Sequence, residues 1–430
     1  MARVVVIGGG FGGLASALRL AKLGHEVTLV EHRELGGALV PFRQDHFAWD
    51  TATHMLLPAA VRDLFHKTGR PLDRELELVP LDCLREHWFA DGSALVLATG
   101  RTPQHEAFEA LGAGLGDRWV EHVASYADDW EVIRRRYAEV PWDPDDVPRE
   151  LAERFDSRES LDRRLRRSLK DERLRQVAAH PFVGDGHAVR DVPAWAGLTA
   201  YLEQRFGAWA FVGGTGLLLD ALVRRLETRK VVVVRGKARD IVLREGRAVA
   251  VTTTVGRLDA DVVVSAVDPR GLPSLAAHVR RTTVAVPAAT TYLGLEGEVR
   301  DLPHEVVIHG EQTLVLRTTG RAPEGSHGWS VQTRGRREED PLVVLARHGL
   351  DVRGQVVARV DRTPRDLVER WGGTPLGVLW QGRATVRRRL GPRTPIEGVF
   401  TAGSHAAPGS GLPYVALSAA LVAQAVGPAR

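Results

Sequence analysis

Apolar positions along the chain fall into three spacings, and the changes between them mark the expected elements. Val4 to Ile7 form an unbroken β-branched run, as a strand buried on both faces requires. Leu14, Ala15, Ala17, Leu18, Ala21 and Leu23 then recur at helical spacing, and Gly24 closes that helix. Val27, Leu29 and Val30 make a second strand ending at Glu31. Residues 50–64 read as a turn and a short helix starting after Pro58, and residues 76–81 and 88–97 as strands around an Asp91-Gly92 turn. From 104 to 175 the chain is charged and helix-spaced, with helices expected at 119–137 and 151–174 and the proline-rich stretch 141–148 between them. His180, Phe182, His187, Trp195, Tyr201, Phe206 and Trp209 crowd the next segment, as core or as the lining of a cavity. A helix at 217–226, a strand at 231–234 and a meander over 241–265 follow. Alternation over 284–360 predicts an antiparallel sheet, and a short helix is expected at 364–371. The chain closes with a strand at 398–401, glycine-rich turns and a helix over 414–426.

The glycines between the first strand and helix carry the chemistry. Gly8, Gly10 and Gly13 fit the spacing G-x-G-x-x-G. In that context they give a tight turn, a backbone that approaches a pyrophosphate, and close helix–strand packing. Free N–H groups at the helix start face the phosphates. Glu31 lies about twenty residues on, where a carboxylate accepts hydrogen bonds from a ribose. A second Gly pair, Gly36-Gly37, follows soon after the acid, as in flavoproteins of the glutathione-reductase-like type, so FAD is expected before a nicotinamide cofactor. Near the C-terminus, Gly403 and the run Pro408-Gly409-Ser410-Gly411-Leu412-Pro413 repeat the strand–turn–helix logic.

Composition narrows the class. With 430 residues, 44% hydrophobic and 26% charged, two domains of an ordinary globular protein are expected. The opening strand is no secretory leader, and no run reaches the ~18 apolar residues of a membrane span. The single Cys83 excludes internal disulfides and cysteine metal clusters, and no H-E-x-x-H motif occurs. No metal is expected, and a cytoplasmic location fits. Net charge is only +4, and the Arg-rich clusters at 134–136 and 163–167 lie among acids. They read as a solvated surface, not a nucleic-acid site, with peripheral contact to an anionic membrane as the alternative.

Six segments together resemble the phytoene desaturase-like branch of FAD-dependent oxidoreductases, related more distantly to the flavin amine oxidases. They are VVVIGGGFGGLASALRLAKLGHEVTLVE, GGALVPF with FAWDTATHMLLP, LELVPLDCLREHWFADGS, YLEQRFGAWAFVGGTGLLLDALVRRL, LDADVVVSAVDP and GVFTAGSHAAPGSGLPYVALSAALVA. The resemblance implies an α/β chain: a Rossmann-like FAD-binding domain of the glutathione-reductase-like type, from residues 1–80, 206–275 and 381–430, interleaved with an α+β substrate domain from 81–205 and 276–380. It implies FAD held by Gly8, Gly10, Phe11, Gly12, Gly13, Glu31, His32, Gly36 and Gly37, with the backbone of Ala238 at the adenine. Gly403, Ser404, Gly411, Leu412 and Pro413 would lie beside the flavin. Ala38 stands where the family usually has Arg, and Ser404 where many relatives have an acid. The middle of the chain is charged where a membrane-dissolved substrate would favour an apolar one.

The expected reaction is desaturation or dehydrogenation of an isoprenoid, carotenoid-like or other hydrophobic intermediate. Asp50 and His54 are the acid/base candidates, with His180 and His187 behind them. An amine oxidase on a soluble or carrier-bound metabolite ranks lower, because that group commonly uses a lysine in the substrate domain and none follows Lys237. A non-catalytic flavin-binding scaffold is the reading from another class.

Overall fold

The computed structural model describes residues 1–335 and 339–429. Its organising layer is a five-stranded parallel sheet, in the order Val399–Thr401, Val262–Ser265, β1 (Arg3–Ile7), β2 (Glu26–Glu31), Val232–Arg235. β1 lies in the middle, with Val4 opposite both Val262 and Val27. Its two faces serve different layers. Val4 and Val6 pack with Leu14 and Leu18 of helix α1 (Phe11–Lys22), while Val5 and Ile7 pack with Ile241, Val251 and Leu275 on the other side. A central parallel strand therefore has no polar face, which is why its sequence does not alternate. The helices Gly216–Thr228 and Leu412–Val426 join α1 on one side. The three-stranded meander of Ala238–Arg244, Arg247–Thr253 and Gly256–Asp259 covers the other.

A second, seven-stranded sheet runs Val356–Arg362, Ala289–Glu296, Ser326–Thr333, Leu314–Gly320, Glu305–Ile308, Cys83–Trp88, Ala94–Ala98. Most pairs are antiparallel, but Glu305–Ile308 lies parallel to Cys83–Trp88. Within 284–360 every strand pair is antiparallel, as expected, and the sheet becomes mixed only where Glu305–Ile308 meets Cys83–Trp88 from outside that stretch. The cause is a long-range pairing between two distant stretches, and local alternation carries no information about partner direction. The expected helices at 119–137 and 151–174 are broken into shorter pieces, including Leu115–Ala124, Ala127–Ile133, Arg149–Phe155 and Leu161–Ser168. These wrap a core built on Trp119, Tyr126, Tyr137 and Phe155. All five parallel strands come from residues 1–80, 206–275 and 381–430, and all seven of the second sheet from 81–205 and 276–380. The small ribbon of Phe42–Gln44 and Phe47–Trp49 leaves its own segment and crosses to the second sheet, where Phe42 stacks on Tyr292 at 4.5 Å.

Most arginines of the two clusters are paired with nearby acids. Arg134 and Arg135 pair with Glu131, Arg136 with Glu150, Arg164 with Asp129, Arg166 with Asp162 and Arg167 with Glu159. Among the described residues no helix is long and apolar enough to cross a membrane.

Candidate active site

The glycine loop is built by its geometry. Gly8 takes φ +101°, reserved for glycine, and its N–H donates to Val30 O at 2.9 Å, tying the turn to β2. A side chain at Gly13 would overlap the Gly8 carbonyl oxygen, so Gly13 sits beneath the loop rather than in the cavity wall. At Gly12 a Cβ would come within 2.7 Å of Gly403 Cα. The first and last glycine motifs, far apart in sequence, are therefore in van der Waals contact.

Both helices that start here, α1 and Leu412–Val426, have no side-chain cap and no acid in the first turn. Their orphan N–H groups and positive dipole ends are left for an anion or an electron-rich ring. Glu31 is locked in place: Oε2 accepts the Gly9 N–H at 2.7 Å, and Oε1 accepts those of His32 and Arg33 at 2.7 Å each. The Gly36 N–H donates to Gly9 O at 2.8 Å, laying the second Gly pair beside the first. Uncapped donors, an orienting carboxylate and space at Gly10, where a Cβ would meet no protein atom within 4 Å, fit the adenosine diphosphate half of FAD.

One cavity of about 610 Å³ joins these loops to the second sheet. Gly8, Gly10, Phe11, Gly12, Glu31, Gly36, Gly37, Gly403, Ser404, Gly411, Leu412, Pro413 and His54 all line it. Five expected residues do not, among them His187, whose Nδ1 accepts the Trp380 N–H at 3.2 Å. Gly13 is packed under the turn, and His32 is exposed with Nδ1 3.0 Å from Glu31. Ala238 begins the meander and packs against the core beneath the sheet. Asp50 is turned away and ion-paired to Arg321 at 2.7 Å. Arg33 and Arg370 also line the cavity with Gly36 and Gly37, where Ala38 offers no charge.

The opposite wall holds what the sequence did not reveal. Arg85 from Cys83–Trp88 is bound to Glu203 of Leu198–Phe206 and, at 3.3 Å, to Glu305 of Glu305–Ile308; all three are buried. Arg317 donates to Glu305 at 3.0 Å and to Thr51 O at 3.1 Å. Burial alone would raise the Glu305 carboxyl, but His180, Arg317, His54 and Arg85 hold it well below the usual carboxylate range. His54 lies edge-on to His304 at 5.1 Å, and burial pushes it down to about 3, so its imidazole is neutral at physiological pH. Phe182, Trp195, Phe206 and Trp209 of the aromatic segment do not line the cavity, whereas His180, Pro181, Gly184 and Asp185 do. Arg85, Glu203, Glu305 and Arg317 come from four separated elements and follow no local motif. Their only sequence signal is a charge within an apolar strand or helix, which is ambiguous.

Comparison with known proteins agrees with this architecture. Residues 11–427 match the family described as flavin containing amine oxidoreductase. The hydroxyneurosporene desaturase of Cereibacter sphaeroides is 34% identical over 63% of this chain, which spans 57% of that protein. The 4,4'-diapolycopene oxygenase of a Methylomonas species is 25% identical over 98% of this chain and 97% of its own. Among solved structures, putrescine oxidase superposes with a TM-score of 0.71 at 15% identity, covering 99% of this chain and 98% of that one. Cyclohexylamine oxidase from Brevibacterium oxydans gives 0.64 at 16%, covering 99% of each. At such identities the structures establish the fold alone. With the family match spanning nearly the whole chain and both glycine motifs meeting in one cavity, the protein belongs to the flavin containing amine oxidoreductase family and is an FAD-dependent oxidoreductase.

Proposed function

We propose that the enzyme desaturates or dehydrogenates an isoprenoid, carotenoid-like substrate. The observation that carries this reading is the composition of the cavity wall. Among the described residues it contains no lysine, and Met55, Leu56, Pro181, Pro287, Ala288 and Val315 give it apolar lining suited to a hydrocarbon chain. The names of the two relatives, both enzymes of carotenoids, point the same way.

FAD, when bound, supplies the hydride-accepting chemistry. The chain's own residues hold the cofactor, orient the substrate and exclude water. Gly8, Gly10–Gly12, Glu31 and Gly36–Gly37 hold the nucleotide half. Gly403, Ser404 and the start of Leu412–Val426 stand at the other half, with Ser404 fixed by donation of its hydroxyl to Thr374 O at 3.2 Å. His54 faces the cavity and is the residue we assign to accept the substrate proton, with the Glu305 carboxylate in the same wall to offset the burial that disfavours the imidazolium. Asp50 acts at a distance, by holding Arg321.

The test is anaerobic mixing of the FAD-loaded protein with acyclic isoprenoids and, separately, with aliphatic amines. Bleaching of the flavin by an isoprenoid alone supports the reading, and bleaching by amines alone overturns it. With a reactive isoprenoid, His54→Phe slows bleaching at least ~100-fold if it is the base. Asp50→Asn changes it less than ~10-fold.

A further inference from the structure

A row of imidazoles runs from the cavity wall along the second sheet, where the helix Glu172–Gly184 meets it. It begins at Glu305, which lines the cavity with His54 and His180 and lies 3.6 Å from His180 Nε2. The His180 ring stands edge-on to that of His87, with centroids 5.5 Å apart. His87 Nδ1 and His309 Nε2 then share a hydrogen bond of 2.8 Å. Neither His87 nor His309 lines the cavity. Strand geometry sets the direction of the row. His87 lies opposite Val307, midway between Glu305 and His309 on the parallel strand. Residues two and four apart share a face, so the row covers about 13 Å from Glu305 to His309. Beyond that end both strands run out to exposed residues, Ala90 and Asp91 on one and Gly310 and Glu311 on the other.

Packing does not call for these rings. His87 is fully buried, yet its Nε2 has no hydrogen-bond partner among the described residues. Such a nitrogen costs stability that a phenylalanine stacked on Phe89 in its place would not. His180, Arg85, His309 and Glu305 face it, and burial keeps its ring neutral. A neutral imidazole accepts a proton at one nitrogen and releases one from the other, so linked rings pass protons on. Desaturation needs an exit of this kind. Of the two C–H bonds broken, one sends out a hydride, which reduces the FAD. The other sends out a proton, and its electron pair becomes the new double bond. A hydrocarbon filling the cavity displaces the water that would otherwise carry that proton away from His54.

We propose that Glu305, His180, His87 and His309 form a proton-exit relay, from the cavity to the outer edge of the second sheet. This rests on the isoprenoid reading above, with His54 as the first acceptor of the proton. His87 and His309 line no part of the cavity and act only on the proton after it has left the substrate.

The experiment mixes FAD-loaded protein anaerobically with an acyclic isoprenoid in detergent, in weak buffer containing a pH-indicator dye that absorbs beyond the flavin. Single-turnover bleaching reports C–H cleavage, and the dye reports the proton reaching bulk water. In the parent protein the two are expected to keep pace. In His87→Phe, proton release is expected to fall at least ~10-fold behind bleaching, a separation that a generally damaged site does not produce. His309→Phe, at the outer end of the row, is expected to open the same interval, and it gives the reading by itself should His87→Phe fail to load FAD. Proton release that keeps pace with bleaching in every variant that loads FAD overturns the relay and leaves the isoprenoid reading standing. If no isoprenoid bleaches the flavin, the isoprenoid reading falls and the relay with it.

Discussion

At the scale of the residue, two glycines of one motif do different work, and a single methyl group separates them. Gly13 lies under the Gly8 carbonyl, where a Cβ has no room. Gly13→Ala should therefore destabilise the protein by about 1–3 kcal/mol or more, as overpacking does, and lower holoprotein yield. At Gly10 a Cβ meets no protein atom, and φ is −71°, which any residue adopts. Gly10→Ala should fold with a Tm within ~2 °C of the parent yet lose at least ~10-fold in FAD affinity, since the methyl stands where the pyrophosphate approaches. Apoprotein melting and flavin titration on the two variants separate these outcomes. Equal flavin affinity in Gly10→Ala would remove the pyrophosphate from that loop.

At the scale of the element, the buried ion cluster fastens the second sheet to the helical layer. Arg85 comes from one strand, Glu305 from the strand parallel to it, and Glu203 from the helix Leu198–Phe206. Removing the cation strands the Glu203 carboxylate and leaves Glu305 to Arg317 alone, and breaking such a buried set costs about 3–5 kcal/mol. Arg85→Met should show that loss in urea unfolding. Adding Glu203→Gln should return most of it, because Arg317 and Glu305 then remain as a balanced pair. If Arg85→Met melts like the parent, the cluster is dispensable for docking. The Asp50–Arg321 pair plays a lesser part of the same kind. Arg321 also donates to Gly213 O at 2.7 Å, joining the ribbon to the turn before Gly216–Thr228.

For the whole molecule, burial of histidine sets a pH dependence. Burial holds His54 down to about 3, and His122, His187, His304, His309 and His405 to about 4. Below pH ~6.5 the unfolded chain takes up protons that the native protein refuses, so stability falls as pH drops toward 4. Each such histidine contributes up to about 1.4 kcal/mol per pH unit. Asp185, raised to about 6, works in the opposite sense, because the native protein binds its proton first. Six groups outweigh one. Carboxylates held low, such as Glu305 and Asp261, add their loss only below about pH 4. Thermal melts should therefore show Tm falling by roughly 5–10 °C between pH 7 and 5. A flat or rising Tm would mean that these rings take up protons in the native state.

What the sequence by itself determined is the nucleotide half of the molecule. β1, the glycine turn, α1, β2 and Glu31 are consecutive, and each step follows from local spacing: a β-branched run, glycines where no side chain fits, helical periodicity, an acid at a strand end. The C-terminal turn was legible for the same reason, as a strand running through glycines into an uncapped helix. Only the tertiary structure decided that the two turns touch, that Glu305–Ile308 runs parallel to Cys83–Trp88, and that Asp50 faces Arg321 while His54 faces the cavity. Only there do Arg85, Glu203, Glu305, Arg317, Asp185 and Arg334 become one wall. Backbone conformation and amphipathic spacing are written over a few residues. The pairing of a buried charge is made across hundreds, and nothing near it in sequence names its partner.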